Sequence, residues 1–256
     1  MLDLVMVTGA SRGIGASVAA DARSYARTLL MIASSDVKPN SSSQEACDIR
    51  RLTIDLVDAA LAERTVRAEL SGLRPVRSIG LALCAAQIGS FGGLAVADFE
   101  EWRRLFAINV LGNLAVVKAC LPEVEAGASL RGVFFAGGGA ADGYPEFSAY
   151  AASKAATVRA VENLAMEMKS KGWNAAVVAL APGAVETDML AKVVAYGGAV
   201  RTKTDIREPT AFVRRFLSNE YDCMGLNGRF VHVRDDIAGT DFGTVSDNLF
   251  KLRRVQ

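Results

Sequence analysis

"MVTGASRGIG" occupies Met6 to Gly15. An apolar run ends at Thr8, glycines stand at positions 9, 13 and 15, and alanine-rich sequence follows. That composition fits a strand turning tightly into a helix. Glycine permits the turn, and its missing side chain lets an anionic group approach the backbone. The free N–H groups and dipole of the helix start then favour negative charge. The spacing is T-G-x-x-x-G-x-G, not the commoner G-x-G-x-x-G. The stretch therefore predicts a strand–turn–helix that holds a pyrophosphate at the head of an α/β domain.

Working outward, short apolar runs recur: Leu4–Gly9, Thr28–Ala33, Leu52–Leu56, Ser78–Cys84, Gly132–Ala136, Ala175–Leu180 and Gly228–Val233. Each is too short for a helix and nearly all apolar, as parallel strands covered on both faces are. Amphipathic stretches at Asp98–Leu121 and Ser148–Lys171 lie between them. Alternation of strand and helix predicts right-handed crossovers and a doubly wound sheet. No repeat or Pro/Ser linker divides the 256 residues, so a single α/β domain over 1–256 is expected. Asp36–Arg50, with Pro39 and three consecutive serines, reads as an irregular connection. Residues 188–208, including "YGGAVRTKTD", read as a flexible loop over the substrate site.

Charge excludes some partners. Lys and Arg total 29 against 28 Asp and Glu, which leaves no field to gather nucleic acid or an anionic membrane. Four scattered cysteines and one histidine, His232, hold neither a zinc-ligand spacing nor a disulfide framework, so no metal site is expected. The first residues show no basic stretch leading into a long apolar core. Nor is there an uncharged run of about 18 residues to span a bilayer. The expectation is a cytoplasmic protein.

Further along, four motifs fall in order. "INVLG" (Ile108–Gly112), "YAASK" (Tyr150–Lys154) and "PGAVETDM" (Pro182–Met189) follow the glycine turn, and Asp55 lies within the third apolar run. Together they resemble the classical short-chain dehydrogenase/reductase family. The resemblance implies a Rossmann-type domain with a mostly parallel seven-stranded sheet and helices on both faces. It also implies hydride transfer between a nicotinamide cofactor and a carbonyl/secondary alcohol pair. By the same resemblance the cofactor lies on Gly9, Ser11, Arg12, Gly13, Ile14, Gly15, Ser34, Asp55, Ala85, Lys154, Pro182, Gly183, Val185 and Thr187. Pairing of the two long helices with a second copy implies a homodimer or homotetramer.

Tyr150 and Lys154 are four apart in a helical stretch and so share a face. A phenol near pKa 10 is a poor base at neutral pH, and a neighbouring ammonium favours its ionised form. By the resemblance, Tyr150 is the expected acid/base. The resemblance adds that Lys154 holds the nicotinamide ribose and Asn109 a relay water.

Two departures stand out. Where the family places a serine that bonds the substrate oxygen, this chain reads Ala136-Gly137-Gly138-Gly139, without a side-chain donor. The backbone of Gly137–Gly139 is the candidate replacement, as an anion-binding nest. Ser148, two residues before Tyr150, would point elsewhere on a helix. The family's N-N-A-G appears as Leu83-Cys84-Ala85-Ala86, so apolar packing is expected where asparagines would brace the central strands. For the cofactor, Arg12 and Ser34 or Ser35 fit a 2′-phosphate and favour NADP(H), with Asp36 the competing argument for NAD(H). Two functions meet these residues: an NAD(P)-dependent oxidoreductase, or a dinucleotide-binding protein that has lost turnover with the serine.

Overall fold

The computed structural model describes residues 1–36, 47–73, 75–198, 200 and 202–253. Its strands are β1 (Leu2–Thr8), β2 (Ala26–Ala33), β3 (Asp48–Thr53), β4 (Ser78–Leu83), β5 (Ser129–Phe135), β6 (Ala175–Ala181), β7 (Ala184–Val185), β8 (Lys203–Thr204) and β9 (Phe230–His232). Seven form one sheet in the order β3-β2-β1-β4-β5-β6-β9, every neighbouring pair parallel. Helices α1 (Gly13–Ala22), α2 (Ala59–Ser71), α3 (Phe99–Phe106), α4 (Asn113–Glu125), α5 (Ser148–Ser170), α6 (Asp188–Ala195) and α7 (Arg207–Leu217) surround it. This is the doubly wound Rossmann-type arrangement, with strand order reversing between β1 and β4. Ligands bind outside the carboxyl ends of strands at that switch point.

The strand period of two builds two cores. Leu4 and Met6 of β1 join a cluster with Val66 of α2, Val116 of α4 and Val161 of α5. Val5 and Val7 point the other way and pack with Val18 of α1 and Phe216 of α7. Burial on both faces is why these strands read as unbroken apolar runs.

All seven expected strands of the main sheet are present, and one is displaced. β3 spans Asp48–Thr53, not Leu52–Leu56. It is an edge strand bonded only to β2, so Asp48 and Arg51 face solvent and the apolar signal fades. The irregular connection expected at Asp36–Arg50 lies mostly outside the described residues, since 37–46 are not described. In the stretch over 188–208 the described residues hold α6 and β8, and β8 pairs with β7 in a two-stranded ribbon.

The long helix before Asn109 is not uniform. α3 passes into a π-helical turn, Ala107–Gly112, before α4 begins. By length and composition the rod Phe99–Glu125 is apolar enough to cross a membrane, yet 61% of its most apolar window is buried inside the fold. Core packing explains that apolarity.

Candidate active site

A cavity of about 690 Å³ lies along the carboxyl ends of the strands. Every residue expected to hold cofactor lines it: the turn from Gly9 through Ser11–Gly15, then Ser34, Asp55, Ala85, Lys154, Pro182, Gly183, Val185 and Thr187. Tyr150 and Gly137–Gly139 line it too, whereas Asn109 sits behind the wall.

The glycine turn is set by close backbone approach. Gly9 has φ +65°, and a Cβ there would lie 2.9 Å from Ala85 Cα. A Cβ on Gly15 would lie 2.2 Å from the Gly9 carbonyl oxygen. These contacts lay the start of α1 against the end of β1. Arg12 is its N-cap in extended conformation, no side chain caps the helix, and its first turn holds no acid. The free N–H groups and positive helix end thus face the cavity, where a dinucleotide's phosphates fit. Arg12 is exposed and has no ion-pair partner among the described residues. Asp55 accepts from Arg104 Nη2 of α3 at 2.8 Å, which holds its carboxylate at the cavity edge.

At the other end, α5 presents Tyr150 and Lys154 on one face. Lys154 is buried and donates from Nζ to the Phe135 carbonyl at the end of β5, 2.8 Å away. The same ammonium lies 5.5 Å from the centroid of the Tyr150 ring. The expected lowering of the phenol is not found. Burial, and next the neighbouring Tyr144, push Tyr150 up to about 12, while burial pushes Lys154 down to about 8. The cause is burial, and the Lys154 ammonium bonds the Phe135 carbonyl. A phenol raised in this way keeps its proton at neutral pH.

Asn109 emerges from the π-helical turn, fully inside the protein. Its Oδ1 accepts from Gln87 N (2.7 Å), and its Nδ2 donates to Gln87 O (2.9 Å) and Ser153 Oγ (3.0 Å). Ser153 in turn donates to the Tyr150 carbonyl at 2.7 Å. The side chain therefore locks the segment after β4 to the helix that carries Tyr150.

Apolar packing does not replace the strand brace. Thr8 Oγ1 donates to Asn113 Oδ1 (2.8 Å) and accepts from Ala85 N (3.0 Å), while Asn113 Nδ2 donates to Ala85 O (2.9 Å). A polar group is rarely buried without partners, so two polar residues on apolar elements were the signal for this network. Sequence reasoning passed over Asn113, Thr8 and Ser153.

The glycine run behaves differently from the expectation as well. Gly137 is extended (φ 171°, ψ 171°) and Gly138–Ala140 form a 3₁₀ turn. None of Gly137, Gly138 and Gly139 is left-handed, so the alternating conformation of an anion nest is not formed. A Cβ on Gly137 would lie 3.6 Å from Tyr150 Oη. Gly137 is therefore the position beside the acid where a side-chain hydroxyl is missing.

Cys120 is buried and bonds the Val116 carbonyl, as a small core residue does. Cys84 instead lines the cavity. His232 also lines it, its Nδ1 accepting from Arg234 N at 3.1 Å.

A family model described as short chain dehydrogenase matches residues 3–196. The chain belongs to the short-chain dehydrogenase family. A short-chain dehydrogenase/reductase of Pestalotiopsis microspora is 28% identical over 226 residues, covering 85% of this chain and 83% of that protein. Sorbitol dehydrogenase of Cereibacter sphaeroides is 30% identical over 188 residues, covering 71% of this chain and 70% of its own. Among solved structures, a 3-oxoacyl (acyl-carrier-protein) reductase of Agrobacterium tumefaciens C58 with NADP bound superposes with a TM-score of 0.73. Its identity is 21%, and the match covers 90% of this chain and 92% of that one. This short-chain dehydrogenase is thus an oxidoreductase by family, with the family's Rossmann-type fold.

Proposed function

We propose that the protein is an NADP(H)-dependent reductase that converts a carbonyl compound to a secondary alcohol, with Tyr150 as the proton donor. The observation that carries this reading is one cavity holding both the uncapped start of α1 and Tyr150 backed by Lys154. When bound, a reduced nicotinamide supplies the hydride. The chain's own residues do the rest. Tyr150 gives its proton to the substrate oxygen, and a phenol held near 12 supports reduction because it keeps that proton at neutral pH. Lys154, anchored on Phe135 O, is placed to meet the ribose and to restore the proton.

The choice of NADP(H) over NAD(H) rests on charge. Arg12 and Ser34 line the adenosine end of the cavity. Asp36 is not on the lining, and its Oδ1 accepts from Thr53 Oγ1 at 3.2 Å on β3. A guanidinium and a hydroxyl on one lining favour a phosphate over a bare ribose. Replacing Arg12 by Ala should weaken NADPH binding by about tenfold, in line with loss of one charge-assisted contact, and leave NADH binding within about twofold. Equal effects on both cofactors, read by titration calorimetry, would remove the 2′-phosphate argument.

The decisive experiment measures NADPH oxidation with a panel of ketones, quinones and keto sugars. Turnover of at least one that drops by about 10³-fold in Tyr150→Phe supports the reading. A second reading, a dinucleotide binder without turnover, is favoured by the bare Gly137. Tight NADPH binding with no Tyr150-dependent turnover on any carbonyl establishes that reading instead. Its compartment is proposed to be the cytoplasm, in keeping with four cysteines that lack disulfide spacing.

A further inference from the structure

We propose that Tyr144 is a second hydroxyl donor to the substrate oxygen, standing in for the side chain that Gly137 lacks. The inference rests on the reductase reading and assigns one more residue to that site.

Gly137 leaves a specific gap. Its backbone is extended, a conformation any residue adopts, and its Cβ position faces Tyr150 Oη at 3.6 Å. Tyr144 lines the same cavity as Gly137 and Tyr150. Its ring is braced by Phe147, with centroids 5.0 Å apart and planes tilted by 40°. Its Cβ lies 3.6 Å from the Cβ position of Gly139, so the small residue there lets the Tyr144 segment close over the glycine run. The Tyr144 hydroxyl has no hydrogen-bond partner among the described residues, and the side chain is 40% exposed. Tyr144 is also near enough to Tyr150 to raise the latter's phenol.

Part of the remaining wall is apolar. Ile88, Met189 and Val193 are apolar, and they belong to a small cluster that also packs against Phe147 and Tyr150. The Thr187 hydroxyl on the same lining donates to the Val185 carbonyl at 3.3 Å. A neutral carbonyl compound fits such a wall, with its oxygen between two phenols. In the reduction, hydride from the reduced nicotinamide adds to the carbonyl carbon and the C=O π pair moves onto oxygen. That oxygen takes the Tyr150 proton. Tyr144 keeps its own proton and donates only a hydrogen bond as charge builds, the role of an oxyanion-hole donor.

The test uses wild type, Tyr144→Phe, Tyr150→Phe, Gly137→Ser and the double variant Gly137→Ser/Tyr144→Phe. With 9,10-phenanthrenequinone and NADPH, Tyr144→Phe should lower kcat by about 10²-fold, the usual effect of losing one such donor. Gly137→Ser should recover at least about tenfold of that loss in the double variant, because the serine hydroxyl then supplies the missing donor. Independently of turnover, infrared difference spectra of carbonyl-¹³C acetophenone bound to the protein report polarisation directly. Its C=O stretch should rise in Tyr144→Phe and fall again in the double variant. A Tyr144→Phe kcat within about threefold of wild type, with Tyr150→Phe inactive, overturns the proposal but leaves the reductase reading intact. Absence of turnover in every form, including wild type, overturns the reductase reading; an unchanged stretch in Tyr144→Phe then removes the Tyr144 role as well.

Discussion

Tyr150 and Lys154 show what residue spacing does and does not specify. Four-residue separation puts both on one face of α5, as expected. It says nothing of where the ammonium is spent, and that decides the electrostatics. Lys154 donates a hydrogen bond to the Phe135 carbonyl, and burial governs both groups and moves them in opposite senses. A lysine lowered to about 8 is charged below that pH and neutral above it. If the charge helps bind the ribose and feed the proton path, kcat/KM for carbonyl reduction should be level below about pH 7 and fall by about tenfold per unit beyond pH 8. Lys154→Arg, which stays charged throughout, should lose that inflection whatever its absolute rate. Stopped-flow profiles between pH 6 and 10 check this, and an inflection retained in the arginine variant would assign it to another group.

At the scale of elements, the region from α3 to α4 matters most. The sequence reads as one amphipathic helix, and its i, i+3, i+4 pattern is compatible with that. The structure inserts a π-helical turn, which widens the spacing there and buries both Asn109 and Asn113. Their side chains then hold the segment after β4 from two sides, at Gln87 and at Ala85. Asn113→Leu should cost about 1–3 kcal/mol, because Thr8 and the Ala85 backbone are left buried with unmet polar groups. The urea midpoint should fall with an unchanged slope, and NADPH affinity should drop with it, since Ala85 lines the cavity. No change in midpoint would mean the network carries no stability. The missing N-N-A-G asparagines are therefore a change of address: the brace comes from β1 and α4.

For the whole molecule, the sheet divides the apolar residues into two cores, and the cavity opens where strand order reverses. The outer surface of the long helices carries Leu111 and Met166, exposed by 54% and 66%. The resemblance implied pairing through these helices, and apolar groups at that level of exposure fit a face covered by a second copy. Light scattering should give a dimer or tetramer at micromolar concentration, and Leu111→Glu/Met166→Glu should shift it to monomer with the circular dichroism spectrum retained. A monomeric wild type rejects the assembly.

Taken by itself, the sequence determined the strand–turn–helix at Thr8–Gly15, the parallel order of buried strands and the shared face of Tyr150 and Lys154. Each is local: a glycine where backbone approaches, an apolar run between two covered faces, a fixed helical period. Tertiary structure alone decided the raised phenol of Tyr150, the brace built by Thr8 and Asn113 and the conformation of the glycine run. Those depend on which distant segments meet and on how far water is excluded where they do. Neither quantity is a property of any short stretch of chain.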